Sequence, residues 1–271
     1  MHDPNQGLAK ATEKAQSKPV ALFVSDVHLQ ASMPRTTQAF LDFLKRHAAD
    51  VQQLYLLGDL FEYWAGDDDL DSSYNRQIVD VLRAVSDAGV QIFWIAGNRD
   101  FLAGAEFASA TGATLLPDPA VVTISGRRIV LTHGDALCTD DHDYMAFRNQ
   151  VRQQAWQKQF LAMPLAERKS IIEGLRTGSR EAQRGKSYDI MDVNLAATSA
   201  LFEATGTTVM IHGHTHRPAC HEYSANGQKR LRYVLPDWDC EALQTRGGWL
   251  ALNADGSMTQ CRPDCSSQTA S

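Results

Sequence analysis

Short apolar runs alternate with amphipathic segments along the first half of the chain. The apolar runs have the length of a buried strand, whereas the segments between them carry apolar residues at helical spacing. The predicted strands span 20–26, 54–59 and 90–97, and the predicted helices span 36–50 and 74–89. This alternation predicts βαβ units and a buried, largely parallel sheet.

The second half of the chain carries hairpin signals instead. Strand-like runs flank the dipeptides at 125–126, 226–227 and 255–256, which are Ser-Gly, Asn-Gly and Asp-Gly pairs typical of tight turns. A further strand is predicted over 207–212. We expect this half to form mainly a second, mixed sheet. Two facing sheets with helices outside would bury both sets of strands, which predicts an α/β fold with four layers.

Residues 142–186 interrupt this order because they contain no strand signal. They show two amphipathic helical patterns separated by Pro164. Between Arg148 and Lys186, nine Lys and Arg residues outnumber three Glu, giving a net charge of +6 inside an acidic chain. Taken alone, this insert could be a solvated helical hairpin with an apolar inner face. Apolar side chains among excess positive charges also suit a lid that rests on an anionic membrane surface.

The composition of the chain says more about which classes of partner are excluded than about the fold. A chain of 271 residues with 44% hydrophobic content can bury the core of one large domain. A net charge of −6 argues against a nucleic-acid partner, and the apolar runs are too short for a membrane-spanning helix. Residues 1–18 lack the apolar region of a secretory signal. We expect disordered tails at 1–18 and 263–271, and one domain over 19–262 that includes the insert.

Several predicted strands end at residues that bind hard metal ions. In open α/β sheets, the carboxyl ends of the strands line a common crevice, so these side chains can converge there. They lie in the motifs DVH, GD, GN, HGD and HGHTH and comprise Asp26, His28, Asp59, Asn98, His133, His214 and His216. The i, i+2 spacing in DVH and in HTH lets both side chains of each pair point the same way from a strand end.

The composition of this set indicates the kind of metal centre. Two carboxylates, one amide and four imidazoles, without a thiolate, favour Mn²⁺, Fe or Zn²⁺. Seven ligands exceed the needs of one ion but suit two ions that share a bridging carboxylate. Two such ions, about 3.5–4 Å apart, stabilise both the attacking and the leaving oxygen in phosphoryl transfer and generate hydroxide at neutral pH.

The order of these motifs resembles that of the calcineurin-like metallophosphoesterases and spans most of the chain. The resemblance implies a four-layer α-β-β-α sandwich of two mixed sheets. It also implies that Asp26, His28 and His216 bind one metal ion, that Asn98, His133 and His214 bind the other, and that Asp59 bridges them. The alternatives are another dinuclear phosphoesterase, which would carry GNH and no amphipathic insert, and a scaffold without metal, which would have lost ligands.

A closer resemblance rests on GNRD at 97–100, HGDALCTDD at 133–141, IMDVN at 190–194, IHGHTHRP at 211–218 and the basic insert. These motifs are similar to those of the UDP-2,3-diacylglucosamine pyrophosphohydrolases of lipid A biosynthesis. That family implies cleavage of this lipid-linked nucleotide to UMP and 2,3-diacylglucosamine 1-phosphate. It also implies a monomer that uses two divalent ions, Mn²⁺ above all, at the cytoplasmic face of the inner membrane. Given this resemblance, we expect residues 142–186 to form a lid at the membrane surface, in preference to a solvated helical hairpin.

The same resemblance implies roles for individual residues. Catalysis would involve Asp59, Asn98, Arg99 and His133, and the implied substrate contacts are Asn98, Arg99, Asp141, Ser179, Gln183, Lys186 and His214. Gln183 departs from the smaller polar residue that is usual in the family. Arg99 replaces the histidine of GNH, which is thought to protonate a poor leaving group. An arginine instead binds a phosphate leaving group bidentately. The roles of Asp100, Asp135 and His212 stay open.

Overall fold

The computed structural model describes residues 17–183, 192–225 and 227–263, with the backbone alone for 177–183 and 225. Nearly all of the predicted tails, 1–18 and 263–271, and the predicted substrate contact Lys186 lie outside the described residues. Within them, the strands are β1 Pro19–Val24, β2 Gln53–Leu56, β3 Gln91–Trp94, β4 Thr114–Leu115, β5 Ala120–Ile124, β6 Arg127–Leu131, β7 Val209–His212, β8 Ala219–Ala225, β9 Gln228–Val234, β10 Trp249–Asn253 and β11 Met258–Cys261.

The strands form two sheets. The first has the order β11-β10-β1-β2-β3-β4, and the second has the order β5-β6-β7-β9-β8. Strands β1, β2 and β3 are parallel, with Val24 beside Leu56 and Leu56 beside Trp94. Strands β6, β7 and β9 are also parallel. Because the parallel strands in each sheet end level with their neighbours, the loops after them lie side by side.

Helices cover the outer face of each sheet. They are α1 Pro34–Arg46, α2 Ser73–Asp87, α3 Ala105–Thr111, α4 His142–Val151, α5 Gln154–Leu161, α6 Leu165–Gln183 and α7 Leu195–Thr205. The alternation along β1 shows the layers: Leu22 packs in the helix-side cluster, whereas Phe23 packs in the cluster between the sheets. On the second sheet, Met210 packs with Phe202 of α7. The predicted four-layer α-β-β-α sandwich is confirmed.

The last hairpin belongs to the first sheet, so the second half of the chain forms mainly, but not entirely, the second sheet. Strand β10 pairs antiparallel with β1, and Leu22 lies beside Ala251. All five residues of β10 are buried. A strand that is buried on both faces must have packed residues on each side of the sheet. Beside β1, the helices cover one face of β10 and the second sheet covers the other. The sequence near β10 contains no pattern that predicts its pairing with β1, because the two strands lie far apart along the chain.

The described part of the insert, residues 142–183, contains three helices, so the prediction of two was wrong. The first predicted pattern divides into α4 and α5, because the chain turns at Gln153, which has an extended backbone with φ −71° and ψ 131°. Gly and Pro, the usual signals of a break, are absent from this turn. The break at Pro164 is correctly placed, since α6 begins at Leu165.

The insert packs on the body of the protein through both apolar and charged contacts. Phe160 is buried in the helix-side core, and Trp156 packs against the same cluster. Arg168, which is 1% exposed, donates hydrogen bonds to the carbonyl of Ala65 and to Asp68. A deletion of the insert would therefore also remove part of the core, so point substitutions test its role more cleanly.

Candidate dinuclear metal centre

The loops that follow β1, β2 and β7 have an unusual backbone conformation at their polar residues. Five of the seven predicted metal ligands have φ between 52° and 67°, namely Asp26, His28, Asp59, His214 and His216. This left-handed region costs a residue other than glycine about 1–3 kcal/mol. Backbone hydrogen bonds between the loops stabilise this conformation. The N–H of His28, for example, donates to the carbonyl of Asp59 at 3.0 Å. Strain of this kind clusters at functional sites.

Two glycines let the backbone approach the carboxylates closely. A Cβ at Gly97 would collide with the side chain of Asp59, and a Cβ at Gly213 would collide with Asp26 and Ser25. The glycines of the GN and HGH motifs are therefore required by close packing against the carboxylates.

One group of ligand atoms lies at the ends of β1 and β7. Asp26, His28 and His216 each offer a ligand atom within 4.8 Å of the other two. The Nε2 atoms of the two histidines are 3.3 Å apart, and Nε2 of His216 is 3.4 Å from Oδ1 of Asp26. These are the three residues that the family resemblance assigns to the first metal ion.

A second group lies beside it and shares Asp26. Ligand atoms of Asp26, Asp59 and His133 also lie within 4.8 Å of one another. Oδ1 of Asn98 is 2.9 Å from Nε2 of His133 and 2.9 Å from Nδ1 of His214. The structure thus brings together all seven predicted ligands in two adjoining groups.

The electrostatics of the two groups favour cations. Burial alone would lower the pKa of His133, yet the carboxylates of Asp59 and Asp26 outweigh it and raise that pKa to about 9. Burial and the neighbouring His133 lower the pKa of His214 to about 4. Buried carboxylates that stabilise a positive charge on an imidazole would also stabilise a metal ion. The oxygen and imidazole donors, their spacing and this field fit two divalent cations.

Arg99 lies at the edge of the two ligand groups. Its backbone N–H donates to Oδ1 of Asp59 at 2.8 Å. Its guanidinium Nη1 is 3.6 Å from Oε1 of Glu62, and the side chain is 24% exposed. The main chain of Arg99 therefore binds the predicted bridging carboxylate, while its charged end lies beside Glu62.

Asp100 connects the GNRD loop to the loop after β2. Its two carboxylate oxygens accept hydrogen bonds from the N–H groups of Gly97 and Leu60, each at 2.8 Å. Burial and the nearby charge of Asp59 raise the pKa of Asp100 to about 6. Asp100 is thus an orienting residue that fixes the loops on which Asn98 and Asp59 stand.

Two other residues that the sequence left open also have defined contacts. Asp135 accepts from the hydroxyl of Tyr144 at 2.7 Å and from Nε of Arg148 at 2.8 Å. His212 is buried and its Nε2 accepts from Arg232 at 2.9 Å. Burial together with Arg232 lowers the pKa of His212 to about 3. Asp135 therefore links α4 to the site, and His212 supports the strand end outside the two ligand groups.

Glu62 is the site residue that sequence reasoning missed. It is 7% exposed, and its Oε2 lies 3.0 Å from Nδ1 of His28. Burial would raise the pKa of Glu62, but His28, Arg99 and Arg176 lower it to about 2. The single sign in the sequence is an acidic residue inside the aromatic run FEYW, three residues after Asp59.

The predicted substrate residues on the insert are only partly described. Asp141 caps α4, since its side chain accepts from the N–H of Tyr144 at 3.1 Å. Ser179 and Gln183 lie in the last turns of α6, where the structure describes the backbone. Among the described side chains of the insert, the large apolar ones that are exposed are Phe147, Leu161, Ile171 and Leu175.

Comparisons with known proteins agree with this geometry. Residues 20–218 match the family described as calcineurin-like phosphoesterase.

Proteins named UDP-2,3-diacylglucosamine hydrolase are similar to this chain over most of their length. The Chromohalobacter salexigens protein is 48% identical over 80% of this chain and 88% of its own. The Aromatoleum aromaticum protein is 48% identical over 82% and 90%. The protein of Escherichia coli O7:K1 is 47% identical over 86% and 95%. The chain therefore belongs to the calcineurin-like phosphoesterases and, among them, to the UDP-2,3-diacylglucosamine hydrolase family.

Proposed function

We propose that this protein hydrolyses the pyrophosphate bond of UDP-2,3-diacylglucosamine to UMP and 2,3-diacylglucosamine 1-phosphate (lipid X) in lipid A biosynthesis. The observation that carries the proposal is the place of Arg99 beside the metal cluster. Its backbone N–H binds Asp59, and its partly exposed side chain occupies the position where GNH enzymes have a histidine. A fixed cation at that position suits a substrate whose leaving group is a phosphate.

The reaction consumes one water molecule. Its oxygen bonds to the phosphorus that carries uridine, and the bond from that phosphorus to the bridging oxygen breaks. The electron pair leaves with the sugar phosphate, whose final protonation has a pKa of about 6. This leaving group needs charge stabilisation more than a proton, and Arg99 supplies two parallel N–H donors for it.

The residues divide between two divalent ions, which we propose to be Mn²⁺. Asp26, His28 and His216 would hold one ion. Asn98, His133 and His214 would hold the other, with Asp59 between them. When bound, the ions lower the pKa of water and neutralise the charge that develops on the phosphate oxygens. Catalysis would then depend on Asp59, Asn98, Arg99 and His133.

The insert supplies the remaining substrate contacts in this proposal. Asp141, Ser179, Gln183 and Lys186 would bind the substrate together with Asn98, Arg99 and His214. Acyl chains would lie along apolar side chains of residues 142–186, which thus act as the lid. The excess positive charge of the insert would hold a monomer at the cytoplasmic face of the inner membrane. Among the described residues, no helix combines the length and apolar character needed to cross a membrane.

The direct test follows UMP from UDP-2,3-diacylglucosamine in detergent micelles. The protein loaded with Mn²⁺ is expected to release UMP. The same protein stripped with a chelator is expected to lose at least about 99% of this activity, because the ions supply several kcal/mol of transition-state stabilisation. Adding Mn²⁺ back should restore it, and Mg²⁺ and Zn²⁺ serve as the comparison. Faster hydrolysis of UDP-glucose than of the lipid substrate would instead favour a soluble-nucleotide pyrophosphatase.

The membrane role of the lid predicts a loss of vesicle binding when an acidic residue replaces an exposed apolar one. Leu175, in α6, is 46% exposed and lies one turn from Ile171. The substitution Leu175→Glu is expected to lower partition onto vesicles of anionic and zwitterionic phospholipid by about tenfold, because it removes apolar contact and adds a repelled charge. Sedimentation with vesicles measures the effect.

Val121→Glu is the matched control for this prediction. Val121 is 41% exposed but lies on β5, in the second sheet. This variant should bind vesicles like the unmodified protein. Equal binding by the Leu175→Glu variant would show that α6 does not contact the membrane.

A further inference from the structure

Glu62 is held against the first ligand loop by the backbone. The N–H of Leu29 donates to the carbonyl of Leu60 at 2.8 Å, and the N–H of Glu62 donates to the carbonyl of Leu29 at 3.1 Å. These bonds extend the pairing of β1 and β2 past their carboxyl ends. The backbone of Glu62 is therefore fixed beside the loop that carries His28, through bonds that do not involve the insert.

The two oxygens of the Glu62 carboxylate contact different partners. Oε2 lies 3.0 Å from Nδ1 of His28, the ring nitrogen opposite the one that faces His216. Oε1 lies 2.5 Å from Nη2 of Arg176 in α6 and 3.6 Å from Nη1 of Arg99. One buried carboxylate thus contacts a predicted metal ligand, the arginine of GNRD and a helix of the insert.

Arg176 is itself tightly placed. Its Nη1 donates to Glu173 one turn earlier on α6 at 3.0 Å, and its guanidinium lies over the ring of Tyr63 at 5.5 Å from the centroid. Arg99 and Arg176 approach the same oxygen of Glu62, so their like charges lie close together in a partly buried place. Two guanidinium groups stay this close only while a carboxylate between them offsets their repulsion.

We propose that Glu62 is a positioning residue that holds the His28 ring for the first metal ion and fixes Arg99 relative to α6. Its effect on turnover rests on the proposed function, whereas its effect on metal binding does not. Without the carboxylate, His28 loses the partner that orients its ring, and Arg99 is free to move away from Arg176. A carboxylate partner of this kind behind a histidine ligand typically contributes 10–100-fold to metal affinity.

The test compares Glu62→Gln with Glu173→Gln. Each substitution removes one carboxylate that contacts Arg176, but only Glu62 also contacts His28 and Arg99. For Glu62→Gln, we expect the Kd for Mn²⁺, measured by titration calorimetry, to rise about tenfold, and kcat/KM for UDP-2,3-diacylglucosamine to fall about 100-fold. Glu173→Gln should stay within about twofold of the unmodified protein in both measurements. An unchanged Mn²⁺ affinity in Glu62→Gln overturns the proposal.

A double-mutant cycle then separates positioning from a purely structural role. If Glu62 acts on Arg99 together with Arg176, adding Arg176→Ala to Glu62→Gln should cost much less in kcat/KM than Arg176→Ala costs alone. Losses that simply multiply would overturn the link to α6. Glu62→Asp retains the charge and should recover at least about tenfold of the kcat/KM lost in Glu62→Gln. If thermal unfolding shows that Glu62→Gln does not fold, the cycle is run with Glu62→Asp.

The two proposals fail in different ways. A protein that binds Mn²⁺ but forms no UMP would refute the proposed substrate, and the effect of Glu62→Gln on Mn²⁺ affinity would still decide the role of Glu62. A protein that forms UMP equally well with and without the Glu62 carboxylate would refute the positioning role alone.

Discussion

Replacement of Asp59 by asparagine is expected to reduce UMP formation from UDP-2,3-diacylglucosamine by at least about a thousandfold. Asp59 is 2% exposed, and its carboxylate belongs to the ligand group that it forms with Asp26 and His133. Asparagine keeps the shape of the side chain and an oxygen that can accept the N–H of Arg99 at its present place. The substitution therefore removes chiefly the negative charge that a bridging ligand must supply to two divalent ions.

Two measurements check this prediction together. Steady-state kinetics should show the loss in kcat, and elemental analysis should show fewer than two bound Mn²⁺ ions per chain. Asp69→Asn is the control, because Asp69 is also a buried carboxylate but pairs with Lys169 of the insert. Retention of more than about a tenth of the kcat by the Asp59→Asn protein would contradict a bridging role.

The place of the two ligand groups could be predicted from the sequence because it follows from strand order. Parallel strands end at one edge of a sheet, so residues that follow β1, β2 and β3 must lie together. Asp26, Asp59 and Asn98 follow those strands, and His133 and His214 follow strands of the facing sheet. The apolar alternation that predicts the strands thus also predicts which side chains converge.

Other features could not be predicted because they depend on contacts between distant segments. The place of β10 beside β1 depends on which sheet edge is open, and nothing near residue 250 records it. The role of Glu62 depends on its approach to Arg176, which is 114 residues away along the chain. The left-handed backbone at Asp26 or His214 has no signal either, since neither residue is a glycine.

The insert is more closely connected to the metal centre than a hinged lid would be. In α4, Arg148 pairs with Asp135 at 2.8 Å, and Arg152, just after this helix, donates to the carbonyl of Gly97 at 2.9 Å. In α6, Arg176 pairs with Glu62. Both ends of the described insert thus bind loops that carry the proposed metal ligands. A substrate that displaces the insert would disturb these loops, so substrate binding and the geometry of the centre are expected to be coupled.

Arg99→His is the substitution that tests the choice of substrate most directly. It recreates the GNH motif of other dinuclear phosphoesterases and leaves the backbone N–H that binds Asp59 in place. We expect kcat/KM for UDP-2,3-diacylglucosamine to fall about 100-fold, because an imidazole cannot bind a phosphate through two parallel N–H donors. Arg99→Lys keeps the charge without the planar fork and should lose about tenfold.

A second substrate separates leaving-group stabilisation from general damage to the site. A uridine 5′-alkyl phosphodiester has an alkoxide leaving group, which requires a proton that an imidazolium can donate. The Arg99→His protein should therefore lose far less activity toward this ester than toward the lipid pyrophosphate. Arg128→His is the control, since Arg128 donates to the carbonyl of Thr205 outside the two ligand groups. Equal losses on both substrates would mean that Arg99 maintains the site, whereas unchanged turnover of the lipid substrate would exclude any role in binding its leaving phosphate.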